Sequence, residues 1–326
     1  MQDQPDLIGA IDIGGTKIAI GLVSHKGQVV CRRTLRTTDF PDGRRAVVAM
    51  GEALCDCLSE TGARIAGIGI SCTGPVDPLT GIIGKVANLP PGWNGYPLVE
   101  QLSAALTTRV VMENDADSAA LAEFQWGCGR GANRFLYVTI STGIGCGFIA
   151  DGELYRGAGG SHPEMGHHVI DPTGPVCYCG ARGCWESLAS GIAIKDWFLQ
   201  NDPAHRFSAT PFTAETVFAL YSARDPLAEQ TMARLAHYVG LGLANMTTIL
   251  VPDVIAIGGG IGMRGGAFLS RAEQVVRRTC GEVPNTRVAI QTALLEKNLD
   301  LAGGAAAWLR TVDRSSLSSH EDGSNK

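Results

Sequence analysis

The chain opens with apolar, β-branched runs broken by glycine. In "LIGAIDIGGTKIAIGLVSHKGQVVCRR" the runs 8–13, 18–23 and 29–31 predict three short strands, with turns at Gly14-Gly15 and Lys26-Gly27. A helical pattern follows over 45–58, then a buried-type strand over 64–71 and a turn-rich loop through "NLPPGWNGYP". A helix near 98–106, the strand "RVVMEN" and the helix "DADSAALAEFQWG" complete a βββαβα order. The opening pattern then returns: "FLYVTISTGIGCGFIADGELY" repeats strand, glycine turn, strand and polar glycine turn, with Asp12 aligned to Ser141 and Gly14 to Gly143. This predicts an internal duplication, two related α/β halves each begun by the same unit. The second half carries a cysteine-rich insert, a mostly helical stretch over 188–248, the strand "DVIAIGGG", a helix over 266–278, the strand "RVAIQTA" and an alanine-rich helix. The expected division is a smaller first domain (1–116), a larger second domain (117–299) with the insert at 162–186, a helix (300–312) returning to the first domain, and a disordered polar tail (313–326).

A length of 326 residues suits two domains of ordinary size and a core that needs no disulfides. The net charge of −5 and the scattered basic pairs, such as Arg32-Arg33 and Arg277-Arg278, argue against a nucleic-acid face. A secretion signal and an apolar run long enough to span a membrane are both missing from the pattern, so the expected location is the cytoplasm, with no membrane partner. In that compartment the ten cysteines read as thiols or metal ligands rather than disulfides. Cys31, Cys55, Cys57, Cys72, Cys128, Cys146 and Cys280 then read as packing residues.

Paired glycine turns in register across a repeat point to phosphate. At Gly14, Gly15, Gly143, Gly145 and Gly147 backbone amides can approach phosphate oxygens without a Cβ in the way. Thr16 and Lys17 would add a hydroxyl and a positive charge, and Asp12 would hold Mg²⁺ through water. The Walker and dinucleotide fingerprints do not occur. "GGGIG" places Gly258, Gly259 and Gly260 between a strand and a helix, where adenosine or ribose can lie against backbone. In "VVMENDADS", Asn114 and Asp115 stand where a strand meets a helix; an acidic residue there is either a cap or a general base for a hydroxyl nucleophile, with Asn114 orienting it. Spacing does not choose between Asp115 and Asp117.

"HPEMGHHVIDPTGPVCYCGARGCWE" supplies Cys177, Cys179 and Cys184 in glycine- and proline-rich loop, with His167 ten residues before Cys177. Three thiolates and one imidazole make a closed tetrahedral set, which favours structural over catalytic Zn²⁺. Glu164 and Glu186 bracket the cluster, and paired carboxylates beside a histidine suit a hydroxyl-rich ligand.

Together "DIGGTK", "NLPPGW", "END", "STGIGCGF", "PEMGH" with "CYCGARGCWE", and "GGGIG" resemble the ROK family of sugar kinases and related repressors, in the right order from about residue 7 to 310. The resemblance implies a two-domain hexokinase/actin-like fold, with ATP in the cleft and a hexose at its base. It selects Asp115 as catalytic base and places Asn88, Asn114, Asp115, Glu164, His167 and Glu186 on the sugar. It puts His167, Cys177, Cys179 and Cys184 on zinc, His167 using its other ring nitrogen towards the sugar. Asp12, Gly14, Gly15, Thr16, Lys17, Thr142, Gly143, Gly145 and Gly258 to Gly260 fall to the nucleotide and its Mg²⁺. It also implies a homodimer or homotetramer. The "NLPPGW" loop leans towards glucose phosphorylated at C6; N-acetylmannosamine is the nearer competitor and fructose the more distant one. A sugar-sensing regulator of the same family would carry a DNA-binding helix-turn-helix ahead of Asp12, for which the sequence leaves no room.

Overall fold

The structure is a computed structural model; it describes residues 6–203, 206–207, 212–264, 266–295 and 297–321, without the side chains of 267 and 313–321. The chain begins with β1 (Leu7–Ile13), β2 (Lys17–Val23) and β3 (Val29–Arg36), followed by α1 (Gly43–Thr61), β4 (Ile65–Cys72), the two-residue β5 (Val76–Asp77) and β6 (Ile82–Ile83), α2 (Leu98–Leu106), β7 (Val110–Asn114) and α3 (Asp115–Trp126). Next come β8 (Arg134–Ile140), β9 (Ile144–Ala150), β10 (Glu153–Leu154), α4 (Trp185–Ala189), α5 (Gly191–Gln200), α6 (Ala214–Ser222) and α7 (Pro226–Leu250). The last elements are β11 (Val254–Gly258), α8 (Gly259–Gly262), α9 (Gly266–Thr279), β12 (Ala289–Thr292) and α10 (Leu299–Glu321). The C-terminal helix thus continues beyond 312, and 322–326 lie outside the described residues.

Two five-stranded sheets share one plan, β3-β2-β1-β4-β7 and β10-β9-β8-β11-β12. In each, the first two strands of the repeat pair antiparallel (β1 with β2, β8 with β9), and the next neighbour is parallel (β4 on β1, β11 on β8). The duplication expected from the repeated glycine turns is therefore present in topology. The chain forms two compact units: 1–130 with 154–162 and 294–326, and 131–153 with 163–293.

In the first unit the sheet is buried on both faces, which is why β1, β2 and β4 read as continuous apolar runs rather than alternating ones. One face packs against α1 and α2 through Ile11, Ile20, Met50, Leu54, Ile70 and Leu102; the other packs Ile8, Ala10 and Ala19 against Leu301, Ala305 and Trp308 of α10. The Asp42 carboxylate caps α1 by accepting from the Arg45 N–H, and Gly62 in the left-handed region ends it. The docking of α10 on β4 has no spare room: a Cβ on Gly69 would lie 1.8 Å from the Gly304 carbonyl oxygen, and one on Gly67 2.1 Å from the Trp308 ring. In the second unit β8, β9 and β11 bury Leu136, Val138, Phe148, Ile255 and Ile257 against the α4, α7 and α9 layer, with Trp185 fully enclosed. Among the described residues no helix is long and apolar enough to cross a membrane.

Cys31 and Cys57 are not separate packing thiols: they are joined as a disulfide, Cα to Cα 5.8 Å. Cys31 points from β3 into the core that α1 covers, and Cys57 meets it from the buried face of that helix.

Candidate active site

In the first unit the glycine turn between β1 and β2 is closed by the Gly14 N–H donating to the Lys17 carbonyl at 2.9 Å, and by the Thr37 hydroxyl donating to the Gly14 carbonyl at 2.7 Å. Gly15 packs tightly, because a Cβ there would stand 3.0 Å from Asn88, which would have to give way. Asp12 ends β1 with its carboxylate accepting from the Ser71 hydroxyl at 2.7 Å. Desolvation pushes its pKa up to about 7, helped by the charges of Asp300 and Asp115 and opposed by Ser71 and Lys17. The half-exposed Lys17 ammonium donates to Asp300 at 3.1 Å, and Asp300 also takes Arg32 at 2.7 Å. Thr16 is exposed at the turn.

The β7–α3 junction separates the two aspartates that spacing left tied. Asp117 is fully buried and held by Arg156 and by His162 Nδ1 at 2.7 Å. Arg156 also grips Glu113, which takes Arg310 at 3.0 Å. A carboxylate so enclosed and neutralised is structural. Asp115 is exposed at the first residue of α3, one Oδ1 accepting from the Ala116 N–H at 2.8 Å. The helix cap falls to Asn114, whose buried side-chain oxygen accepts from Ala116 N–H at 2.9 Å. Its amide nitrogen faces Gly74, where a Cβ would lie 2.7 Å away. Arg156 and His162 are site-supporting residues that the sequence reading missed, since no local pattern links 156 to 113 or 117.

In the second unit the insert brings His167, Cys177, Cys179 and Cys184 together, one ligand atom from each lying within 4.8 Å of every other. Cys179 and Cys184 sulfurs are 3.5 Å apart, and Cys177 Sγ is 3.5 Å from His167 Nδ1. Tetrahedral zinc with Zn–S of about 2.3 Å sets sulfurs about 3.8 Å apart, so the donor set fits. Desolvation pushes the Cys184 thiol up to about 12, with its neighbouring thiols adding to the cost, and raises Cys177 as well; the Ala181 N–H lowers Cys179. Thiols crowded this way ionise readily only with a cation among them.

Glu186, two residues beyond Cys184, is carried onto the second glycine turn. Its Oε2 accepts from the Ile144 N–H at 2.8 Å and would lie 2.3 Å from a Cβ on Gly143. In both halves, then, a turn glycine is pressed against a residue expected on the sugar: Gly15 against Asn88, Gly143 against Glu186. Thr142 is exposed beside it, and Gly145 lies within β9. His167 Nε2 meets the Tyr178 hydroxyl at 3.1 Å. At the end of β11, Gly258 and Gly259 have no room for side chains, against Tyr137 and the Ile140 carbonyl, whereas Gly260 is open. In the same unit a cleft of about 420 Å³ is lined by Phe218 and Tyr221 of α6 with Arg264 and Phe268, and Arg264 lies over the Phe218 ring.

A statistical model of the ROK family matches residues 8–312. The chain belongs to the ROK family. This ROK protein is 31% identical over 276 residues to a glucokinase of Halalkalibacterium halodurans, covering 81% of this chain and 83% of that one. It is 34% identical over 270 residues to an N-acetylmannosamine kinase of Vibrio cholerae, covering 82% and 88%. It superposes on the crystal structure of a ROK family glucokinase from Streptomyces griseus in complex with glucose and AMPPNP, with TM-score 0.73, 29% identity and 92% and 98% coverage. The hexokinase/actin-like fold expected of this ROK chain is the fold observed, two sheets of one plan each with a glycine turn at the end of its first strand.

Proposed function

We propose that the protein is an ATP-dependent sugar kinase that phosphorylates the C6 hydroxyl of a hexose, glucose first. The observation that carries this reading is the split between the two aspartates. Asp115 is exposed where a strand feeds a helix, while Asp117 is buried and neutralised. An exposed carboxylate beside an asparagine amide suits a base that takes a hydroxyl proton as the phosphoryl group arrives.

In this reading Asp115 accepts the C6 hydroxyl proton. O6 then bonds to the γ-phosphorus, the bond from that phosphorus to the bridging oxygen breaks, and ADP leaves with the electron pair. Asn114 and Asn88 orient the sugar, while Glu164, Glu186 and His167 hold its other hydroxyls. The turns at Gly14 to Lys17 and at Thr142 to Gly145 lie along the phosphates. The Gly258 to Gly260 turn takes the adenosine against its backbone. Mg²⁺, which Asp12 would hold through water, supplies charge neutralisation on the phosphate oxygens. Zinc on Cys177, Cys179, Cys184 and His167 supplies a fixed frame for the loop that carries Glu164 and Glu186.

The likeness to glucokinases and the "NLPPGW" loop support glucose, and the 34% identity to an N-acetylmannosamine kinase supports that amino sugar as the second reading. ADP release is to be followed with glucose, mannose, fructose and N-acetylmannosamine. Asp115→Asn is expected to lower turnover on the accepted sugar by about 10²- to 10⁴-fold. Full turnover in that variant, or no turnover on any sugar by zinc-loaded protein, would refute the assignment.

A further inference from the structure

The exposed tyrosine in the middle of Cys177-Tyr178-Cys179 is a residue that the proposed chemistry does not use. Tyr178 is 83% exposed, so it is not there to fill a core. Yet its hydroxyl end is engaged. The hydroxyl lies 3.1 Å from His167 Nε2, and the two rings meet edge to face with centroids 5.1 Å apart.

The polarity of these contacts is informative. His167 turns Nδ1 to the sulfur cluster, 3.5 Å from Cys177, which leaves Nε2 as the nitrogen that carries the proton. Nε2–H therefore donates to the tyrosine oxygen. A sugar hydroxyl placed there would accept from the same nitrogen. Nε2 has one proton to give, so the sugar and the tyrosine exclude each other at His167. Removing the tyrosine needs little, because an exposed side chain swings out by rotation about its own bonds.

We propose that Tyr178 is a specificity- and affinity-setting residue of the sugar site, its hydroxyl standing in for a sugar hydroxyl at His167 Nε2 until a substrate displaces it. This rests on the sugar-kinase reading. It implies that the protein binds sugar less tightly than its ligands allow, and that only a ligand bringing a hydroxyl that accepts from that nitrogen opens the site.

The test is Tyr178→Phe, which keeps the ring and its packing on His167 and removes the oxygen alone. Binding of glucose and of N-acetylmannosamine is measured by calorimetry without nucleotide, on protein of matched zinc content, alongside sugar KM and ATP KM. The expected result is a sugar Kd about three- to tenfold lower than in the parent, the range spanned by one net hydrogen bond, with the change in the sugar KM and not in that for ATP. A sugar Kd that is unchanged or higher, in a variant whose parent binds and phosphorylates the same sugar, overturns the displacement idea and leaves the kinase reading standing. A parent protein that neither binds nor phosphorylates any sugar removes the kinase reading, and the role of Tyr178 falls with it.

Discussion

Gly143→Ala separates two reasons for a glycine at the second turn. The sequence offers room for phosphate; the structure shows the Glu186 carboxylate 2.3 Å from where a Cβ would be. Ordinary contact begins at about 3.4 Å, so the carboxylate must retreat by about 1 Å. Its bond from the Ile144 N–H, now 2.8 Å, then opens to nearly 4 Å and is lost. A hydrogen bond to a charged group contributes about 1.5–3 kcal/mol, which converts to a sugar affinity about ten- to hundredfold weaker if that carboxylate holds the substrate. Stability should fall too, by about 1–3 kcal/mol, because the N–H of buried Ile144 is left without its acceptor, while Gly143 is not among the positive-φ residues and adds no backbone strain. Sugar and ATP KM, with thermal unfolding, measure both sides. Shortening the partner in Gly143→Ala/Glu186→Asp restores room and should recover part of the sugar affinity, a coupling that two independent defects would not show. A variant with unchanged sugar KM and a raised ATP KM alone would show that the glycine serves phosphate and that the carboxylate contact is incidental.

Two further outcomes follow from charge and metal. Asp12 has its pKa raised from 3.8 to about 7, equivalent to about 4 kcal/mol against the charged form, so the protein holds this stability fully below pH 3.8 and loses it as the pH rises through 7. Asp12→Asn, which can still accept from Ser71, should therefore unfold at a higher temperature than the parent at pH 8, with the gap shrinking towards pH 5; equal melting curves at pH 8 would refute the burial argument. Cys179→Ser should lose zinc and sugar affinity together, read by metal analysis and by calorimetry; full sugar affinity in zinc-free protein would show that the loop keeps its shape without the ion.

What the sequence disclosed was what recurs at short range. The glycine turns repeat at one spacing, so the doubled sheet could be read from them, and C-x-C with a third cysteine and a histidine nearby marked its own cluster. Contacts between distant positions stayed hidden. Nothing around residue 156 announces that this arginine holds Glu113 and Asp117, which is why the choice between two aspartates needed coordinates or a family likeness. The bond from Lys17 to Asp300 was equally hidden, since the two lie 283 residues apart. Cys31 and Cys57 looked like ordinary core thiols because facing positions of a strand and a helix carry no sequence mark. The glycines of the turns were legible as glycines, but their neighbours Asn88 and Glu186 were not.

The first unit is written in three pieces of chain, and its last piece supplies α10. A ribosome making the protein delivers β1 to α3 early, then spends roughly 10–30 s on residues 131–293 before the closing helix emerges. Throughout that interval Ile8, Ala10 and Ala19 have no Leu301, Ala305 or Trp308 to cover them. The back of the sheet is a sticky surface during synthesis, although none of it is sticky in the finished molecule. The glycines of β4 sharpen the problem, because they are a flat bed shaped for one helix, and that helix is made more than 200 residues later. Nascent chains stalled before residue 299 should thus engage chaperones that the released protein ignores.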